Sequence, residues 1–121
     1  FTYTLWSARG DVLAAVAPSA ATLDRLETKR TPRPVFGVGG ERDDLVPIRS
    51  QRETFRELRA LNGCGDSIRG QRPQVTIFPS PNRTPVFTFV HAGGHAFPKE
   101  ATAPIVEFFK RHPRPEKAAG E

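Results

Sequence analysis

At 121 residues and 37% hydrophobic content the chain makes one modest domain at most, short for a complete doubly wound sheet with helices on both faces. Its 18 Lys and Arg against 13 Asp and Glu give a net charge of +5, yet the arginines are dispersed, and Arg49, Arg52, Arg56 and Arg59 lie among Glu53 and Glu57 as on a solvated helix face, which argues against nucleic acid as a partner. One cysteine, Cys64, excludes an internal disulfide and a cysteine-rich zinc site, and no run is long and apolar enough to cross a membrane.

Phe1, Leu5 and Ala8 fall at helical spacing with no capping residue before them, so residues 1–9 read as a helix whose beginning lies upstream. Gly10 and Asp11 close it. Residues 12–17 are continuously apolar, as expected of a strand buried on both faces, and Pro18 with Ser19 ends it. The polar stretch that follows carries an expected helical turn at 23–26, and Pro32 and Pro34 keep the backbone extended into a second buried strand at 34–38. Gly39 and Gly40 break that strand, and the acidic turn Glu41-Arg42-Asp43-Asp44 follows directly.

Ser50 and Glu53 fit a capping box, which predicts a helix over 51–61 that buries Phe55, Leu58 and Leu61 and stops at Asn62-Gly63. A loop is expected at 65–73, then neighbouring strands at 74–78 and 85–91 joined by a turn. Thr102 and Pro104 open a last helix with Ile105, Phe108 and Phe109 facing inward, and Pro113 ends it; residues 114–121 read as a disordered tail. Strands alternating with helices imply an α/β fold with a mostly parallel sheet flanked by helices, and chemistry in the loops at the C-terminal strand ends.

Two such loops carry suitable residues. In His91-Ala92-Gly93-Gly94-His95-Ala96-Phe97-Pro98 the glycines let the backbone turn sharply, which would project the His95 imidazole, a natural proton shuttle, over the strand ends. The plain alternative is a surface turn with a surface histidine. His91 and His95 are also spaced as metal ligands on a helix would be, with Asp43 or Asp44 to complete a site, but adjacent glycines make a helix improbable there, and no metal or other cofactor is expected. An Asp43 or Asp44 carboxylate, past the end of the earlier strand, is suited to accept the ring N–H of His95 and fix its tautomer. An acid after one strand and a histidine after the next parallel one is the order found in α/β-hydrolases.

The segment Pro34-Val35-Phe36-Gly37-Val38-Gly39-Gly40-Glu41-Arg42-Asp43-Asp44-Leu45-Val46-Pro47 resembles the "Gly-x-x-Asp-x-x-Val-Pro" acid loop of the polyhydroxybutyrate depolymerase and feruloyl esterase family. Gly93-Gly94-His95-Ala96-Phe97-Pro98 resembles its "Gly-Gly-His-x-Trp-Pro" loop, and Asn62-Gly63-Cys64 its Asn-Gly-Cys. The resemblance covers residues 1–111 and implies that residues 1–113 are the C-terminal portion of an α/β-hydrolase domain. Asp43 would be the triad acid and His95 the base of a serine-dependent carboxylic ester hydrolase, with a small or polymeric ester as substrate. The family's nucleophile stands in Gly-x-Ser-x-Gly-Gly, and none of Ser7, Ser19, Ser50, Ser67 or Ser80 does. The nucleophile and the missing N-terminal half are therefore expected upstream of Phe1, where an export signal of the secreted or periplasmic kind would also lie.

Two departures bear on substrate and redox state. Phe97 stands where relatives carry tryptophan, which keeps an aromatic wall but removes an indole N–H, and Cys64 would find any partner only upstream. Other readings of the same residues are a peptidase of the same fold, and a non-catalytic fragment or binding module that reuses it.

Overall fold

The computed structural model describes residues 1–23, 30–70 and 72–114. Most of the expected turn at 23–26 and all but the first residue of the expected tail at 114–121 lie outside these. Three helices, α1 (Thr2–Arg9), α2 (Ile48–Leu61) and α3 (Thr102–Arg111), surround a four-stranded sheet of β1 (Val35–Gly40), β2 (Ile68–Arg69), β3 (Val75–Phe78) and β4 (Val86–His91). The strand order is β1-β4-β3-β2. β1 and β4 run parallel in the register Val35↔Val86 to Gly40↔His91, whereas β3 pairs antiparallel with β4 and β2 antiparallel with β3. The fold is of α/β type with a mixed sheet, which corrects the expectation of a mostly parallel one. Two causes are visible: the short turn between β3 and β4 permits only antiparallel pairing, and residues 68–69, expected in a loop, add a further antiparallel strand.

All six residues of β1 are buried because helices cover both of its faces. On one face Val35 and Val86 pack with Tyr3 and Trp6 of α1 and with Phe55 and Leu58 of α2. On the other, Phe36, Val38 and Phe89 pack with Val75, Ala101 and Phe108 of α3. Each of these valine, leucine and phenylalanine side chains stabilises the fold by about 1.5–3 kcal/mol on burial. Gly37 is what lets α2 lie so close, since a Cβ there would run into the Phe55 ring.

The expected strand at 12–17 is displaced. Val16 and Ser19 form isolated parallel bridges to Val35 and Val38 on the free edge of β1, while Val12 is 42% exposed. Hydrogen bonds run from Val16 N to Pro34 O, Phe36 N to Val16 O, Val38 N to Pro18 O and Ala20 N to Val38 O. The bond that would join the two bridges is missing because Pro18 has no N–H. The pairing segment is thus centred on the proline that was expected to end it.

Three helical details also differ. α1 turns Tyr3 and Trp6 inward and leaves Phe1 and Ala8 exposed, with the Trp6 indole donating to Thr31 O at 2.7 Å. α2 begins at Ile48 after Pro47, with no side-chain cap; Ser50 N already bonds back to Pro47 O, so the expected capping box lies inside the first turn. Its buried face holds Gln51, Thr54, Phe55 and Leu58, and Leu61 is 37% exposed. Gly63, at φ +64°, supplies the left-handed residue that stops it. In α3 Pro104 and Phe108 are buried but Phe109 is 42% exposed.

Candidate functional site

The parallel β1–β4 pair delivers its two following loops to the same end of the sheet, and backbone hydrogen bonds weld them together. Glu41 N donates to His91 O at 2.8 Å, and Arg42 N to Gly93 O at 2.9 Å, which continues the ladder past the strands. Gly40 makes the approach possible, since a Cβ there would lie 2.5 Å from Gly93 O and closer still to Gly94 O. The chain therefore needs glycine at 40 for a steric reason, to seat one loop on the other.

Asp43 turns its carboxylate into this junction, and its side chain has no exposed surface. Oδ1 accepts from Leu45 N at 2.9 Å and Val46 N at 2.8 Å, the side-chain-to-backbone arrangement of an aspartate turn. Oδ2 accepts from Gln51 Nε2 at 3.2 Å and lies 3.0 Å from His95 Nδ1, with Oδ1 at 3.2 Å from the same nitrogen. Burial alone raises the carboxyl pKa, but the Val46 amide, the His95 ring and the Leu45 amide outweigh it, so the group lies below the ordinary carboxylate value. An ionised carboxylate has no proton to give, so His95 Nδ1 carries the hydrogen and donates it. The tautomer is thereby fixed. Nε2 is left as the basic nitrogen and makes no hydrogen bond to a described residue, on a side chain that is 43% exposed.

Gln51 is the residue that sequence reading missed. It is fully buried on α2, and its Nε2 donates both to Asp43 Oδ2 and to Val46 O at 2.7 Å. Its Oε1 has no partner and faces Gly39, where a Cβ would lie 2.8 Å away. Turning the amide over would set its oxygen against two acceptors, so the unpaired oxygen is the cost of the two donated bonds. A glutamine in helical register with Phe55 and Leu58, eight residues after the aspartate, is the available signal.

The two expected residues, Asp43 and His95, are thus brought together. Asp44 is exposed and has no part in the contact. His91 is half-buried at the end of β4 with its Nδ1 accepting from Gly93 N at 3.1 Å, a loop-shaping bond. Among the described residues no group of three or more His, Cys, Asp or Glu converges as a metal site requires. Phe97, two residues past the histidine, is 49% exposed. Cys64 is a free, half-buried thiol against the α1–α2 side of the core, and burial pushes its pKa up. Among the described residues no helix is long and apolar enough to cross a membrane.

In class, this is an α/β-type chain carrying an acid–histidine pair at the C-terminal ends of two adjacent parallel strands. No protein-family model and no curated protein matches the chain.

Proposed function

We infer that the chain is the acid-and-base portion of a serine-dependent carboxylic ester hydrolase, similar to the polyhydroxybutyrate depolymerase and feruloyl esterase family. The observation that carries the reading is the contact between the buried Asp43 carboxylate and the His95 Nδ1 at 3.0 Å, with the opposite ring nitrogen bonded to none of the described residues. In this reading His95 Nε2 takes the proton of a serine hydroxyl as its oxygen bonds to the ester carbonyl carbon. The same proton passes to the departing alcohol, and water then releases the acid by the same route in reverse. Asp43 stays ionised throughout and stabilises the imidazolium. The serine and the backbone donors for the oxyanion belong, on this reading, to polypeptide upstream of Phe1, so an ester substrate meets the site only with that segment in place. Secretion or a periplasmic location would accord with the same family.

The test is hydrolysis of short p-nitrophenyl esters, feruloyl esters and a polyhydroxyalkanoate by the protein extended upstream through its Gly-x-Ser-x-Gly segment. Asp43→Asn should lower kcat about 10⁴-fold by leaving the wrong tautomer, and Asp44→Asn should leave it unchanged. Loss of activity with Asp44→Asn alone would contradict the assignment of the acid. An upstream sequence with no such serine would favour a binding module, and peptide cleavage without ester cleavage would favour a peptidase.

A further inference from the structure

At the other end of the same strand pair, before β1 and β4 begin, lies a cavity of about 710 Å³, in the range of small-molecule sites. A six-residue strand separates it from the Asp43–His95 pair by roughly 20 Å. Among the described residues its ionisable lining is lopsided: Arg33, Arg83, Arg111, Arg114 and His112 against Asp11. Asp11 is already engaged by Arg9, whose Nε lies 3.2 Å from its Oδ1.

One of the arginines is held in a way that a solvated surface charge does not need. Arg33 is half-buried, and its guanidinium is fixed by Nε donating to Leu13 O at 2.7 Å and Nη1 to Pro32 O at 2.8 Å. Both acceptors are neutral carbonyls, so these bonds position the charge without neutralising it, and no described residue accepts from the remaining N–H groups of the fork. Arg83 is exposed at the rim, and its backbone sits at φ +60°, a left-handed conformation that residues with side chains seldom adopt, closed by a turn bond from its N–H to Ser80 O at 3.2 Å. Neither Arg83 nor Arg111 makes a side-chain hydrogen bond or ion pair among the described residues.

We propose that this cavity is a binding site for a small molecule bearing a diphosphate or two phosphate groups, with Arg33 as its fixed anchor and Arg83 and Arg111 closing on the anion. Planar guanidinium forks match phosphate oxygens two at a time, and the half-buried setting of Arg33 strengthens such bonds there, while Arg83 and Arg111 are exposed at the rim. The site is independent of the ester-hydrolase reading.

The experiment is an NMR titration of the chain with pyrophosphate, following the arginine Nε–Hε signals at constant ionic strength, with inorganic phosphate, citrate and chloride as comparison anions. Saturable shifts at Arg33 and Arg83 are expected, with pyrophosphate at least tenfold tighter than phosphate or citrate. Arg33→Gln and Arg83→Gly should each weaken it tenfold or more. Because Arg33 also holds two backbone carbonyls, Arg83→Gly is the cleaner variant: it removes a guanidinium and relieves the left-handed strain, so binding should fall while Tm holds or rises. Shifts equal at Arg56 and Arg59 on α2, shifts reproduced by chloride, citrate binding as tightly as pyrophosphate, or an unchanged affinity in Arg83→Gly would each overturn the proposal.

Discussion

In the loop after β1, Asp43 is covered from solvent and takes hydrogen bonds from Leu45, Val46 and Gln51; in the loop after β4, His95 is 43% exposed and its ring is held by Asp43. The asymmetry shows where the geometry is stored. The Asp43 carboxylate is buried like a core group, fixed from its own turn and from α2 behind it, although Glu41, Arg42, Asp44 and Leu45 around it are exposed. The histidine loop is docked onto that platform through Arg42 N to Gly93 O and through the ring itself. On the proposed reading an exposed histidine suits proton exchange with a substrate, and a buried carboxylate keeps its one orientation without competition from water.

The comparison breaks first at the seam between the loops. Gly40→Ala should destabilise the chain by about 2–3 kcal/mol in urea denaturation, because the new methyl meets the Gly93 and Gly94 carbonyls with nowhere to move. Gly94→Ala, whose Cβ would come no nearer than 3.6 Å to Arg42 O, should cost under about 0.5 kcal/mol. Equal losses would mean that the loops are not seated in this way.

Next comes the support behind the acid. Gln51→Leu withdraws the donor from Asp43 Oδ2 and Val46 O but also removes an unpaired oxygen, so a net loss of about 1–2 kcal/mol is expected by the same measurement. An unchanged midpoint would reduce Gln51 to filler. Acid should act through the same residue. The folded pKa of Asp43 lies below the ordinary carboxylate value, so its stabilising contribution is complete above that value and is lost as pH falls through the lower, folded one. Asp43→Asn should flatten that part of the stability profile, and a profile of unchanged slope would argue against the depressed pKa. The smallest effect belongs to the neighbour: Asp44→Asn should move stability by less than about 0.5 kcal/mol.

Much of the site was legible from local chemistry. Asp43 and His95 each follow a buried strand across glycines, and their pairing needs only that the two strands be parallel neighbours, as β1 and β4 are. What sequence could not supply was long-range. Pairing through Pro18 depends on which carbonyls β1 offers to a segment that lacks one donor. The inward face of α1 was set by Trp6 reaching Thr31 O, not by the spacing of Phe1, Leu5 and Ala8. Gln51 reads as polar and falls outside the apolar stripe of Phe55, Leu58 and Leu61, because its reason for burial is an aspartate eight residues earlier.

The most direct measurement is the protonation of His95, read from long-range ¹H–¹⁵N correlations of its ring in the chain and in Asp43→Asn. With Asp43 ionised, the neutral ring should carry its proton on Nδ1, and the substitution should shift the population toward the Nε2 form. A His95 ring protonated on Nε2 in the unaltered chain, or one indifferent to Asp43→Asn, would contradict the account.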